Sequence, residues 1–315
     1  MIKNFSPIII ILSILICIYL VIYIVSKIEC LNYRVREFTI ERSKCINNVD
    51  IVFISDFHNK RYKNDNIDLI NHILKLNPDY IILGGDFIDF SSLQSYFNRV
   101  SYKNTVKFIE NLTKYIKDNK GKTKIKNVFF GFGNHELRLK ERKDNEIMQK
   151  IYNEFIKCLN DNDVIMLNDE TITLYDNMTI SGINLYKGYY RNIFSKKPNI
   201  KHIEKDILDK YFAKIDTNRF NIMAFHKPDY FEDFADYGFD LVLSGHNHGG
   251  LIRFPKIGAL FSPDLNILPK YNDGIYKYKN KTLIVSAGLG EHFVKLRVNN
   301  RPDICLIRIH GKDNI

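Results

Sequence analysis

The stretch "SGHNHGG", Ser244 to Gly250, sets two histidines one residue apart between glycines. In a β-strand, residues i and i+2 share a face, so His246 and His248 would project together toward one spot. The run before them, "FDLVL" (Phe239 to Leu243), is short, apolar and bounded by polar residues, which predicts a buried strand. The glycines after them free the backbone to turn sharply and to let a substrate approach. A polar turn can also hold a bare His-x-His. The reading therefore depends on what the other strands present at their ends.

They present the same kind of chemistry. "DIVFIS" (Asp50 to Ser55) is an apolar run of strand length, and "SDFH" puts Asp56 and His58 just past it. "YIIL" (Tyr80 to Leu83) leads into "GGDFID", with Asp86 and Asp89. "NVFFGF" (Asn127 to Phe132) leads into "GNHE", with Asn134, His135 and Glu136. "FNIMAF" (Phe220 to Phe225) leads into His226, followed by Lys227 and Pro228. Each feature alone has an ordinary explanation: Asp86 as a helix N-cap, Asn134 as a turn residue, Asp56 and His58 as a solvated loop. Five strand ends bearing carboxylates, an amide and imidazoles do not share one. In open α/β sheets, binding sites form outside the carboxyl ends of the strands, so these groups are placed to converge.

Helical spacing covers Asn64 to Leu76, stopping before Pro78, then Tyr96 to Asp118, Glu146 to Leu159 and Ile203 to Phe212. Short strands are expected at Val164 to Leu167, Thr171 to Leu174 and Met178 to Ile183. Tyr186 to Ile200 reads as a mobile basic and aromatic loop. The end is β-rich: "GIYKY", "KTLIVSA" and "DICLIRI". Strand–helix alternation followed by strands predicts an α/β fold: two mixed β-sheets packed as a sandwich and flanked by helices.

The front of the chain differs. "PIIIILSILICIYLVIYIV", Pro7 to Val25, is 19 residues without a charge, long enough at ~1.5 Å per residue to span roughly 28 Å of hydrocarbon. It exceeds the apolar core of a signal peptide, and the following "SKIECLNYRVREF" has no small-residue cleavage pattern. It predicts one uncleaved transmembrane helix. The division is then an anchor at 1–27, a juxtamembrane segment with the first strand at 28–48, and one domain at 49–315. Lys27, Arg34, Arg36, Arg42 and Lys44 follow the span and only Lys3 precedes it, so the positive-inside rule puts the domain on the cytoplasmic side of a single-pass cell-membrane protein.

The net charge of +10 suits an anionic partner, but the lysines are scattered and no dense Lys/Arg block marks a nucleic-acid surface. Five cysteines without a CxxC indicate neither a disulfide framework nor a thiolate zinc site. Cys30 and Cys45 are the one pair whose bridging the sequence leaves open. No feature sets an oligomeric state.

Taken in order, D-x-H, G-D, G-N-H-E, H and G-H-x-H resemble the calcineurin-like metallophosphoesterase superfamily. The resemblance runs from about Asp50 to the C-terminus. It is closest to the membrane-associated branch with an N-terminal hydrophobic segment, whose terminal signature looks like "SGHNHGGLIRFPKIGALFSPD" and "GLGEHFVKLRVNNRPDICLI". It implies a four-layer fold holding two divalent metals, Mn, Fe or Zn. Residue by residue, it implies one metal on Asp56, His58, Asp86 and His248, and a second on bridging Asp86, Asn134, His226 and His246. His135 would meet a phosphoryl oxygen or protonate a leaving group, with Asp89 and Glu136 orienting the groups around it.

Mixed nitrogen and oxygen donors without thiolate fit those metals on chemical grounds. The implied function is hydrolysis of a phosphate ester or pyrophosphate by a metal-activated hydroxide, on a lipid-linked or cell-envelope substrate. The alternatives are a tethered phosphodiesterase or protein phosphatase acting on soluble substrates, or a non-catalytic scaffold. A scaffold is disfavoured because every expected ligand position is filled. Here "NKRY" follows Asp-x-His where many relatives have a short Leu-Gly turn, which places Lys60 and Arg61 as candidates for the mouth of the site.

Overall fold

The computed structural model describes residues 7–311, except 42–43, 45–46, 91–96, 98, 176, 186–187, 191–199, 213–214, 251, 255–257, 263–266 and 292–295. Its elements in order are α1 (Pro7–Leu31), β1 (Arg34–Glu41), β2 (Val49–Ile54), α2 (Ile67–Leu76), β3 (Tyr80–Leu83), α3 (Lys103–Asp118) and β4 (Asn127–Gly131). Next come α4 (Asn134–Glu141), α5 (Glu146–Asp161), β5 (Ile165–Leu167), β6 (Glu170–Thr173), β7 (Met178–Gly182), α6 (Lys205–Tyr211) and β8 (Phe220–Ala224). The last are α7 (Phe231–Tyr237), β9 (Leu241–Ser244), β10 (Arg253–Phe254), β11 (Gly258–Ala259), β12 (Gly274–Tyr278), β13 (Lys281–Val285) and β14 (Asp303–His310).

Two six-stranded mixed sheets carry the fold, in the orders β1-β14-β2-β3-β4-β5 and β12-β13-β9-β8-β7-β6. β2, β3, β4 and β5 run parallel in the first; β7, β8, β9 and β13 run parallel in the second. The alternation of the strands explains the layers. Ile51 and Phe53 of β2, Ile82 of β3 and Phe129 of β4 meet Ile180, Ile222, Leu243 and Ile284 across the sandwich. The intervening Val52, Ile54, Ile81 and Phe130 turn to the other face, with Leu69 and Ile73 of α2, Phe108 of α3 and Phe155 of α5. Both faces of the strands are covered, which is why they read as unbroken apolar runs. Truncating a residue such as Phe53 to alanine would cost ~3–5 kcal/mol. The two sheets with helices outside them are the arrangement expected from the sequence.

Local signals set the helix ends. Asn145 caps α5 by accepting the N–H of Met148 at 3.1 Å. Asn77, left-handed at φ 46°, closes α2 just before Pro78. α2 is preceded by a 3₁₀ turn at Lys63–Asn66, and α3 starts at Lys103 rather than at Tyr96. The helices α4 and α7 have no counterpart among the elements expected from the sequence. Most of the expected loop at Tyr186 to Ile200 lies outside the described residues.

α1 is long and apolar enough to cross a membrane, with only 6% of its most apolar window buried. Its last turns are different. Ser26 and Cys30 are buried against the domain. The Ser26 hydroxyl accepts the backbone N–H of Arg297 at 2.9 Å, and Glu29 Oε2 accepts that of Asn300 at 2.8 Å. Cys30 carries a free thiol and Cys45 lies outside the described residues.

Candidate metal centre

Every sequence-predicted site residue lies just past the carboxyl end of a strand, on the edge where the two sheets meet. Asp56 and His58 follow β2, Asp86 and Asp89 follow β3, Asn134 to Glu136 open α4 after β4, His226 follows β8, and His246 and His248 follow β9. The backbone joins the sheets there: His246 N–H donates to both carboxylate oxygens of Asp56, each at 3.1 Å.

His246 and His248 do not share a strand face. β9 ends at Ser244, and both histidines lie beyond it in the left-handed region, at φ 68° and 48°. Asp56, His58 and Asp86 are left-handed as well, at φ 50°, 45° and 53°. Such conformations are uncommon for non-glycine residues, cost of order 1–3 kcal/mol each, and cluster at functional sites. They send His246 and His248 to two neighbouring groups. His248 joins Asp56 and His58; His246 joins Asp86 and His226.

In the first group, His248 Nε2 is 3.2 Å from Asp56 Oδ1 and 3.1 Å from His58 Nε2, and His58 Nε2 is 4.0 Å from the same Asp56 oxygen. In the second, His226 Nε2 is 3.1 Å from Asp86 Oδ2, and His246 Nδ1 is 3.0 Å from Asn134 Oδ1. Asp56 Oδ1 is also 3.5 Å from His226, so this oxygen stands between the groups. Asp86 Oδ1 accepts the N–H of His135 at 2.8 Å. Asp89 is the most exposed member, its Oδ1 lying 4.0 Å from His58 Nδ1.

The donor set fits divalent cations. His226 Nδ1 faces the Gly84 carbonyl at 2.8 Å, an acceptor, so that nitrogen carries a proton. His226 Nε2 is fully buried, makes no hydrogen bond of sound geometry, and is aimed between two carboxylates. An imidazole nitrogen placed so is suited to share a metal with them. Burial alone would lower the His226 pKa, but Asp86 and Asp56 outweigh it and push it up to about 10. Burial would raise Asp86, yet His135, His226 and His58 hold it well below the usual carboxylate range. Asp56 moves the other way, raised by its own burial and by Asp86. Buried charge of this density needs counter-charge, which a cation supplies.

Glu136 is fully buried and organises the backbone. It accepts N–H groups from Asp86 (2.9 Å), Phe87 (2.8 Å), Ile88 (3.0 Å) and Gly133 (2.9 Å), tying the β3 loop to the start of α4. Burial and Asp86 raise its pKa to about 7 against the pull of those donors. His135 Nδ1 accepts the Phe90 N–H at 2.9 Å, so in the neutral ring Nε2 carries the proton, 3.8 Å from Asp86 Oδ2.

Gly249 and Gly250 turn the backbone as the sequence predicts, at φ 64° and 84°, but the space beside the glycines is taken by the protein itself. A side chain at Gly245 would strike Asp56 and Ser55, one at Gly249 would strike Asn300, and one at Gly250 would strike Ala259. They admit neighbouring parts of the protein. Lys60 is ion-paired with Glu291, and Arg61 with Asp65 on the surface.

Several supporting residues gave no signal of their role. Ser55 donates to Asp56. The Tyr190 ring centroid lies 5.5 Å from that of His246. Arg297 is buried and donates to the carbonyls of His248 (3.4 Å), Ala287 (2.8 Å), Gly288 (3.2 Å), Gly290 (2.7 Å) and Asn300 (3.3 Å). Asn300 Nδ2 also donates to His248 C=O at 2.7 Å. These two residues fix the loop of His248, and their backbone N–H groups also bond to the end of α1. Their only sequence cue is a place inside "KLRVNNRPDI".

Comparison with known proteins places the chain in a family. The chain is 26% identical to an uncharacterised metallophosphoesterase, YkoQ, of Bacillus subtilis (strain 168), covering 83% of each protein. It is 24% identical to an uncharacterised metallophosphoesterase of Aquifex aeolicus (strain VF5), covering 92% of this chain and 96% of that one. It is 22% identical to the phosphodiesterase YaeI of Escherichia coli (strain K12), covering 82% of this chain and 81% of that one. Residues 49–250, which contain every candidate ligand, match the calcineurin-like phosphoesterase family, and the chain belongs to that family.

Proposed function

We propose that the chain is a membrane-anchored phosphoesterase with a dinuclear metal centre. Asp56, His58 and His248 would hold one divalent ion, Asn134, His226 and His246 the other, with Asp86 shared. The observation that carries this is the pair of neighbouring buried nitrogen and oxygen groups, with Asp56 Oδ1 standing between them and Asp86 beside His226. Divalent metals held there, Mn, Fe or Zn, would supply an acidified water and neutralise charge on the phosphoryl group.

The protein's own groups do the rest. Glu136 keeps the Asp86 loop rigid through four N–H bonds. Arg297 and Asn300 hold the His248 carbonyl. His135 keeps its proton on Nε2 because Phe90 occupies Nδ1, and so presents a neutral donor to a phosphoryl oxygen. Asp89 stands at the rim, its Oδ1 4.0 Å from His58 Nδ1.

The substrate class we propose is a phosphate ester or pyrophosphate in a lipid-linked or cell-envelope molecule. Support comes from α1, whose apolar surface suits a bilayer and whose last turns bond to the residues that hold the His248 loop. Residues 1–27 would be the anchor, with the domain on the cytoplasmic face of the cell membrane. The E. coli relative's name makes phosphodiesters the first bond to test, and a soluble diester remains the second reading. The test is metal-loaded full-length protein against phosphomonoesters, phosphodiesters and lipid pyrophosphates. Metal-dependent turnover favouring a lipid-linked substrate is expected. Turnover of none of them would overturn the reading, and preference for a soluble diester would select the second.

A further inference from the structure

Beside the metal centre, and separate from its ligands, a cleft of ≈ 620 Å³ is lined by Arg34, Arg36, Arg253 and Lys270. The three guanidiniums converge on two buried carboxylates. Asp273 pairs with Arg36 and Arg253 and lies 3.8 Å from Arg34; Asp303 Oδ2 lies 3.2 Å from Arg36 Nε. Asp303 also accepts from Ser286 and Ala287 through Oδ1, so part of its charge serves the fold. Lys270 is paired with Glu232. Positive charge is therefore left over, and Arg36 Nη2 is buried with no hydrogen-bond partner. Crowding has the expected effect on Arg34, whose pKa is lowered by burial first and by Arg36 next.

The cleft's position suggests what fills it. α1 ends at Leu31 and Arg34 follows three residues later, so Arg34 lies within about 10 Å of the helix end. The domain is not free to swing away. Arg297 and Asn300 bond to Ser26 and Glu29, and the Arg34 N–H donates to Pro302 C=O at 2.9 Å. The polar headgroup layer is roughly 5–7 Å thick on each side of a bilayer, and with α1 spanning it the headgroup phosphates lie on the side of the domain where the chain passes from α1 to Arg34. An apolar side chain lines the same opening: Phe254, 46% exposed.

We propose that this cleft binds the phosphate of an anionic lipid headgroup in the leaflet where α1 ends. The phosphate would face Arg34, Arg36 and Arg253, with Phe254 dipping toward the acyl boundary. Bound lipid would lock the domain against the membrane at a fixed tilt, presenting the metal centre to substrates in that leaflet. Arg253 Nη1 lies 3.4 Å from the Gly249 carbonyl, next to His248, so the lipid site and the metal centre share a loop. The proposal rests on α1 spanning a membrane.

The test uses the full chain in nanodiscs of equimolar phosphatidylcholine and phosphatidylglycerol, followed by mild extraction and native mass spectrometry of retained lipid. Wild type should keep phosphatidylglycerol over phosphatidylcholine. Arg34→Gln should keep about fivefold less, the effect of one interfacial arginine, and Arg34→Lys should restore much of it. An unchanged melting temperature would show that Arg34→Gln is folded. Should it unfold, Asn272→Asp adds opposing charge to the same cleft and must give the same loss. Equal retention by wild type and variant, or no preference for the anionic lipid, overturns the proposal. Displacement of the lipid by inorganic phosphate would mark a free-phosphate site and also overturn it. Alkaline carbonate extraction of the membranes tests the anchor separately. Release of the chain there would sink the membrane reading itself, whereas an integral chain without lipid preference sinks only the cleft.

Discussion

His226 Nε2 stands 3.1 Å from Asp86 Oδ2, while the other nitrogen of the same ring is committed to the Gly84 carbonyl at 2.8 Å. β3 and β8 belong to different sheets, so this contact is also a seam between the two halves of the sandwich. An imidazole fixed from behind by a backbone carbonyl and aimed at buried carboxylates is held ready for a cation.

His135 tests how the site handles the phosphoryl group. A neutral donor at Nε2 stabilises phosphoryl charge whichever group leaves. His135→Ala should keep its metals and lose ~10²–10³-fold in kcat, by similar factors for nitrophenyl and alkyl phosphoesters. A loss that shrinks for the nitrophenyl ester would instead make His135 a proton donor to the leaving group. Loss of a metal would make it a ligand.

Glu136 can be probed without changing its size. In Glu136→Gln, a side-chain NH₂ must face some of the four backbone donors that the carboxylate now accepts. The expected cost is about 1–3 kcal/mol, read as a lower melting temperature together with weaker metal retention. An unchanged melting temperature would mean the Asp86 loop does not depend on this carboxylate.

Much of the site was legible because its chemistry sits in short strings at strand ends, where apolar runs stop and Asp, His or Asn begin. The two-sheet fold followed from the same runs. The pairing of β1 with β14 was not legible, since it joins residues nearly 270 positions apart, Arg34 with Asp303. Neither was the role of Arg297. An arginine bonded to backbone carbonyls leaves no partner residue to find in a string of letters. The family resemblance assigns His246 and His248 to different metals, but the left-handed backbone that separates them was hidden, because such conformations at non-glycine residues are set by tertiary contacts that override strand alternation.

Arg297 and the end of α1 make a coupled prediction. Arg297→Ala removes donors from five carbonyls. It should lower stability by a few kcal/mol and weaken retention of the ion on His248. A chain starting at Lys27 keeps the Glu29–Asn300 bond and should remain folded and turn over small soluble phosphoesters. A chain starting at Asn32 loses that bond and should melt at a lower temperature. Equal melting temperatures for the two truncations would show that the end of α1 contributes nothing to the domain.

Elemental analysis of the purified full-length chain after reconstitution with Mn²⁺ or Zn²⁺, beside Asp86→Ala treated identically, tests the dinuclear site most directly. The expected result is about two ions per wild-type chain, with metal and phosphoesterase activity lost together in the variant. No more than trace metal in the wild type, or full metal content in Asp86→Ala, would contradict it.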